Sequence, residues 1–253
     1  MKVYGFVCGW LAAPMEAFVE GGEGMAKVPV PAYLIDHPKG RAVFDTGMPA
    51  GLRTDPARAI GRYLAGIFKA DFTPDQDIDR QLEAMDVDPA SIDLVVNSHL
   101  HFDHCAGNAL LPNARIVVQK REVEAARTAG PPKEGFDPLT MLDGRDVLEV
   151  DGEHDLFGDG AAVLLPTYGH TAGHQSLKLA CDGGDAVLAG DCCYFHRTLS
   201  DLKLPGFAHD RDEQLRSIAR LKALADGGAR IVAGHDPDQW AQLPRAPAPL
   251  FAG

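Results

Sequence analysis

Residues 95–108 read VVNSHLHFDHCAGN, an apolar run that ends in His99, His101, Asp103 and His104. Crowding three imidazoles and a carboxylate together after a buried strand is costly unless something compensates their polar atoms. A pair of divalent cations does so, because neutral imidazole nitrogen and carboxylate oxygen are good zinc ligands. The spacing suits a loop rather than a helix. On a helix, residues three and four apart share a face while alternate residues diverge. A loop leaving a strand can turn two pairs of ligands toward neighbouring points, one pair per metal. The competing reading, a histidine-rich surface loop or an adventitious metal site, has to be weighed against partners elsewhere in the chain.

Three further strands end in the same kind of residue. Val163–Leu165 leads to His170, Ala186–Ala189 to Asp191, and Ile231–Ala233, read as the last strand, to His235. A lone histidine at a strand end is more often structural than a ligand. Four such ends in the order His cluster, His, Asp, His are hard to explain by chance.

The remaining pattern frames these ends. The opening MKVYGFVCGWLAAPMEAF reads as a first strand and a loop rather than an export signal, since its basic region is thin and Gly9 and Pro14 break the apolar run. PVPAYLID and RAVF on either side of HPKG form a hairpin that closes in Asp45-Thr46-Gly47. Thr73-Pro74-Asp75-Gln76 reads as a helix start with a capping box, and Ile78, Leu82 and Met85 give its buried face. IDLVV is the strand that delivers His99, ARIVVQ is another strand, and KREVEAART is a helix. Asp210 opens a helix whose apolar stripe is Leu215, Ile218, Leu221 and Ala225, stopped by Gly227. Tyr63, Leu64, Ile67, Phe68 and Phe72 are too apolar for a solvated loop and read either as core or as a lid over a pocket. The Pro/Ala-rich tail PRAPAPLFAG reads as an extended strap. No linker or repeat divides the chain, so residues 1–253 are expected to form a single domain.

Composition narrows the function classes. Apolar content of 45% and charged content of 24% are ordinary for a soluble globular protein. A formal charge of −12 argues against nucleic acid or an anionic membrane as partner. No apolar run approaches the ~20 residues of a membrane span. The five cysteines (Cys8, Cys105, Cys181, Cys192 and Cys193) are odd in number and contain no C-x-x-C pair, which indicates neither a disulfide framework nor a zinc ribbon. Reduced thiols point to a cytoplasmic location.

HLHFDH resembles the signature of the metallo-β-lactamase superfamily, which implies an α/β fold: an αββα sandwich of two mixed sheets flanked by helices, with a dinuclear metal site at one edge. Within that superfamily, PVPAYLIDHPKGRAVFDTGMP, SHLHFDHCAGN, IVVQKREVEAA and GHTAGHQSL resemble the N-acyl homoserine lactonases over residues 28–236. The resemblance implies one metal on His99, His101 and His170, a second on Asp103, His104 and His235, and Asp191 bridging the two. It gives Asp45 and His174 supporting positions behind the ligands. It makes Tyr194 a donor to the lactone carbonyl; Asp103 is the natural proton carrier as well as a ligand, because the leaving alkoxide must be protonated. Phe102, Phe68 and Phe72 are the candidates for contact with the ring, the amide and the acyl chain.

The expected reaction is then opening of an N-acyl homoserine lactone, a small-molecule substrate, by a metal-bridging hydroxide, as in quorum quenching. The expected cofactors are two divalent metal ions, zinc first, with iron, manganese or cobalt accepted by the same ligands. A monomer or a homodimer is expected. Another lactonase of the subgroup, such as a 4-pyridoxolactonase, is the nearest alternative, since VVNSHLHFDHCAGN resembles that group nearly as well. The apolar segment at 63–72 favours a substrate with an acyl chain. DCCYFHR after Asp191 departs from the glutathione-binding pattern of thioesterases, and a phosphodiesterase would want a basic patch with interleaved aromatics. A non-catalytic metal-binding protein is disfavoured by the intact ligand set together with Tyr194.

Overall fold

The computed structural model, which describes residues 1–253, builds two packed sheets. In chain order, β1 (Lys2–Pro14), β2 (Met25–His37), β3 (Gly40–Phe44), β4 (Lys69–Asp71), β5 (Leu94–Val96), β6 (Arg115–Gln119) and β7 (Val147–Val150) come first. Then follow β8 (His154–Asp155), β9 (Ala162–Pro166), β10 (Gln175–Leu179), β11 (Ala186–Leu188) and β12 (Arg230–Val232), and β13 (Phe251–Ala252) ends the chain. The first sheet runs β13-β1-β2-β3-β5-β6-β7, with β4 paired to the far end of β1; the second runs β12-β11-β10-β9-β8.

Strand periodicity decides the layering. Successive side chains on a strand point to opposite faces. Ala42 and Phe44 of β3, Val96 of β5 and Val117 of β6 meet Leu164, Leu177 and Leu188 of the other sheet in one core. Their neighbours Val43, Val95 and Ile116 face outward and pack with Ile78 and Leu82 of the helix Ile78–Glu83. On the second sheet Val187 and Ile231 face outward onto Ile218 and Leu221 of the helix Arg211–Asp226. Both sheets are covered on both faces, which explains why LVV, RIVV and AVL read as continuous apolar runs. The result is the expected αββα sandwich.

Strand direction gathers the ligand loops on one rim. β3, β5 and β6 are mutually parallel. β11 and β12 are parallel, and β9 shares their direction because both β9 and β11 pair antiparallel with β10. The segments leaving the C-terminal ends of β3, β5, β9, β11 and β12 carry Asp45, His99–His104, His170, Asp191 and His235. The last of these is followed by the short helix Pro237–Trp240, whose cap is the Asp236 carboxylate. That helix places the fully buried Trp240 in the core between the sheets, 5.8 Å from the Tyr33 ring.

Several sequence expectations need correction. The helix expected from Thr73 begins only at Ile78. Pro74–Gln76 is a separate 3-10 turn, and Asp77 is extended (φ −63°, ψ 143°), held there by the Arg53 guanidinium at 2.8 and 2.9 Å. β12 is not the last strand: Phe251–Ala252 pairs with Lys2 and Val3 of β1, so the end of the tail closes a sheet edge. Leu215 lies on the exposed side of its helix, and Gln214 and Ser217 are buried in its place. β7 and β8 are short and half-buried, β4 is short and mostly exposed, and none of the three carries a periodic signal. No helix is long and apolar enough to cross a membrane.

Trp240 ties the His235 loop to the core, and truncation leaves a large void. Trp240→Ala is expected to cost about 3–5 kcal/mol, measured by urea unfolding of the purified protein. A loss within the ~0.5 kcal/mol range of surface substitutions would contradict this packing role.

Candidate metal centre

The rim brings together seven candidate ligands from four separate segments. His99, His101, His170 and Asp191 offer donor atoms within 4.8 Å of one another, and Asp103, His104 and His235 form a second such group. Asp191 lies between them. Its Oδ2 is 3.3 Å from His170 Nε2 and 3.8 Å from His99 Nε2, and its Oδ1 is 3.2 Å from His104 Nε2 and 3.1 Å from His235 Nε2. Each carboxylate oxygen therefore faces one group. All seven residues except His101, which is exposed at the mouth, are buried.

The atoms facing the centre lack ordinary partners. His99 Nε2, His104 Nε2 and Asp191 Oδ1 are buried and make no hydrogen bond. Leaving such atoms unpaired is costly, and a divalent cation satisfies all of them at once. The far sides of three rings are engaged instead, while His170 Nδ1 is buried without a partner. His235 Nδ1–H donates to the Pro29 carbonyl at 2.7 Å and His104 Nδ1 meets Asp45 Oδ2 at 2.8 Å, while His99 Nδ1 lies 2.9 Å from Ser98 Oγ. A proton held on Nδ1 leaves the Nε2 lone pair free for a metal. The residues present fit a pair of divalent ions.

Electrostatics agrees. Burial holds His99 and His170 well below the ordinary imidazole range, so both are neutral. At His104 and His235 burial also opposes a proton, but the carboxylates of Asp191 and Asp103 outweigh it and raise both. Burial likewise opposes charge on Asp191, yet His104 and His235 keep its carboxyl well below the usual range. The carboxylates of Asp191 and Asp103 thus favour positive charge at the centre, as protons on His104 and His235 or as bound cations.

A ring of supports fixes the loops. Asp45, in a left-handed backbone conformation (φ 57°), accepts from the Ser98 amide at 2.7 Å and from Ser98 Oγ at 2.8 Å as well as facing His104. His174 is not among the grouped ligands. Burial depresses it to about 3, and its neutral ring accepts the Asp191 amide at Nε2, 3.0 Å away, while Nδ1 meets Thr167. Glu122, which reads in the sequence as one more charge on a surface helix, is buried. Its two oxygens accept the amides of Leu100 and Gly173, at 3.0 and 2.8 Å, and so tie the His99 loop to the His170 loop. Asn97, Asn108 and Thr46 interlock beneath the same loop, Asn97 and Thr46 also reaching the His104 carbonyl.

Above the centre is a partly open cavity of about 170 Å³ whose floor includes His101, Asp103, His170, Asp191 and His235. Tyr194 and Phe102 line it as expected, and so does Phe68, whose ring lies 6.0 Å from that of Phe102. Burial, then Asp191 and Asp103, raise the Tyr194 phenol well above its ordinary value, so it is a neutral donor. Phe72 does not reach the cavity: it packs beneath the Arg53 guanidinium, 4.6 Å away, and against the bulge at Gly9. Leu11, Ala17, Phe18, Leu64 and Phe207 complete the apolar wall; of these only Leu64 lies in a segment whose sequence points to a pocket, the stretch that reads as core or lid. Phe18 follows β1 in what looked like a loop, and Phe207 is an isolated aromatic in a polar stretch. Cys192 and Cys193 are buried in the core beneath the helix Arg211–Asp226, and burial pushes both thiols up.

Comparison with known proteins gives a consistent result. Residues 26–235 match the model of the metallo-beta-lactamase superfamily. The chain is 34% identical over 236 residues to the N-acyl homoserine lactonase AttM of Azorhizobium caulinodans, covering 90% of this chain and 89% of the relative. It is 30% identical over 217 residues to the N-acyl homoserine lactonase AiiA of Bacillus thuringiensis subsp. kurstaki, covering 85% and 84%. Its fold superposes on an N-acyl homoserine lactone hydrolase with the product N-hexanoyl-L-homoserine bound at the catalytic metal center, with a TM-score of 0.86, 27% identity and 98% coverage of both chains.

Asp45→Asn keeps a residue that tolerates the left-handed conformation but removes the carboxylate from His104. Metal affinity is expected to fall about 10–100-fold, read by competition with a chromophoric chelator while far-UV circular dichroism stays constant. Undiminished affinity would remove Asp45 from its supporting role.

Proposed function

The chain belongs to the metallo-beta-lactamase superfamily, among its N-acyl homoserine lactonases, and we propose that it opens the ring of N-acyl homoserine lactones as a single domain spanning residues 1–253. The observation that carries this reading is the pairing of a polar floor, formed by five of the seven grouped donors, with apolar walls in one small cavity. An ester head fits over the floor and an acyl chain against the walls.

His99, His101 and His170 would hold one ion, Asp103, His104 and His235 the other, and Asp191 would face both. Zinc suits the imidazole-rich set best. When bound, the ions supply hydroxide at neutral pH and a Lewis acid for the carbonyl oxygen. The chain's own groups do the rest. Tyr194, kept neutral by burial, donates to the carbonyl oxygen as negative charge develops there. Phe102 and Phe68 hold the amide and the start of the acyl chain. Addition to the carbonyl carbon is followed by cleavage of the ring C–O bond. Asp103 takes the proton that water gives up and returns it to the departing alkoxide, giving the hydroxyl, and the new carboxylic acid releases its own proton to solvent and leaves as a carboxylate. Asp45, His174 and Glu122 act only by positioning. The protein would act as a monomer or homodimer, and five free cysteines, four of them buried, suit a reducing cytoplasm.

Zinc-loaded protein should open acyl homoserine lactones in preference to a plain γ-lactone and pyridoxolactone, and should spare a β-lactam, as followed by proton release. Preference for another lactone would keep the chemistry and replace the substrate. Asp191→Asn should lose both metal and turnover, whereas Tyr194→Phe should lower kcat with its metal content intact. Equal metal loss in the two variants would sink the role given to Tyr194.

A further inference from the structure

The segment from Leu204 to Asp210 crosses the cavity mouth as a strap tied at both ends. On one side the Leu204 carbonyl accepts the Glu20 amide at 2.9 Å, and the Gly206 amide donates to the Ala17 carbonyl at 3.2 Å. On the other side the amides of His209 and Asp210 donate to the carbonyls of His170 and Gly169, at 3.1 and 2.9 Å. Gly206 makes the first tie possible, because a Cβ there would fall 2.4 Å from the Glu16 carbonyl oxygen. Between the two ties stands Phe207. Its ring lies 6.3 Å from that of Phe68 on the opposite wall, yet it remains 40% exposed.

Phe207 borders three spaces at once: the inner cavity and two outer clefts. One cleft, of about 560 Å³, is walled by Ala125, Ala126, Ala129 and Pro138 and shares His101 and His170 with the inner cavity. The other, of about 400 Å³, is rimmed by Glu16, Glu20 and Arg211. The inner cavity is smaller than the roughly 300–1,000 Å³ that usually encloses a whole ligand. It takes the lactone ring, the amide and a short acyl stem, so a longer chain has to leave past Phe207. An alkyl chain gains from apolar walls and loses by stripping water from charged ones, which favours the alanine-lined cleft.

We propose that Phe207 is the specificity-determining residue for acyl length, a partition that closes the inner cavity against Phe68 and separates it from the alanine-lined cleft. The proposal rests on the lactonase reading above. The protein as it stands favours short chains, and removing the ring joins the two spaces and admits long ones. Since Phe207 is partly exposed and the strap is held by backbone hydrogen bonds, its truncation leaves the fold in place.

The test compares N-butanoyl and N-dodecanoyl homoserine lactones. Phe207→Ala should raise the dodecanoyl-to-butanoyl ratio of kcat/KM by about tenfold or more, Phe207→Trp should lower it, and adding Ala125→Leu to Phe207→Ala should cancel the gain. Calorimetric binding of the two ring-opened acyl homoserines should shift in the same direction without any turnover. Ratios that stay constant across the Phe207 variants would overturn the proposal, and so would a gain that Ala125→Leu leaves untouched. If no lactone is opened while the binding ratio still follows residue 207, the partition stands and the reaction assigned above falls.

Discussion

Asp191 concentrates the physical problem that the structure is built around. Its carboxylate is fully buried, with each oxygen facing two imidazoles at 3.1–3.8 Å. Several of these facing atoms make no hydrogen bond, and Asp103 adds a second carboxylate nearby. A buried anionic pocket of this kind is stable only with compensating positive charge. Two divalent cations would provide it, and the same cations would supply the chemistry. The requirement that stabilises the rim and the requirement that activates water are therefore met by one arrangement.

The fold meets that requirement with strand direction and with short polar ties. Parallel strand ends from both sheets deliver donors to one rim, which no single element could do within a few ångströms. Asp45, His174 and Glu122 then set each loop by bonding to a ring nitrogen or a backbone amide beside a ligand. Catalytic groups need placement to a fraction of an ångström, and here the placing groups are themselves buried and fully engaged. The apolar wall above the floor comes from distant parts of the chain, Leu11 and Phe18, Leu64 and Phe68, Tyr194 and Phe207, so its shape depends on segments that cover both sheets.

This division explains how much could be read from the chain alone. His99, His101, Asp103 and His104 were legible because three imidazoles and a carboxylate crowd behind one apolar strand, although Asp103 and His104 sit on the short helix Phe102–Cys105 rather than on the loop their spacing suggests. His170, Asp191 and His235 were legible because each follows an apolar strand. The hairpin and the helix Lys120–Ala129 followed from local pattern and turn signals, and the sandwich from the resemblance that HLHFDH carries. Glu122 was not legible: on an amphipathic helix a glutamate is normally solvated, and only the approach of the Gly173 loop buries it. Phe72 looked like a groove residue by composition, but Arg53 takes up its ring. The helix expected from Thr73 has sound local capping signals, which lose to the Arg53–Asp77 pair. Local propensity gave way in each case to a contact distant in sequence, which a linear pattern does not encode.

The most direct measurement is the stoichiometry of metal binding, by native mass spectrometry of chelator-stripped protein titrated with zinc, with thermal unfolding recorded alongside. Two ions should bind per chain, and Tm should rise with free zinc because the ions bind the folded state. Binding of one ion or none, with Tm independent of zinc, would contradict a fold organised around a compensated dinuclear centre.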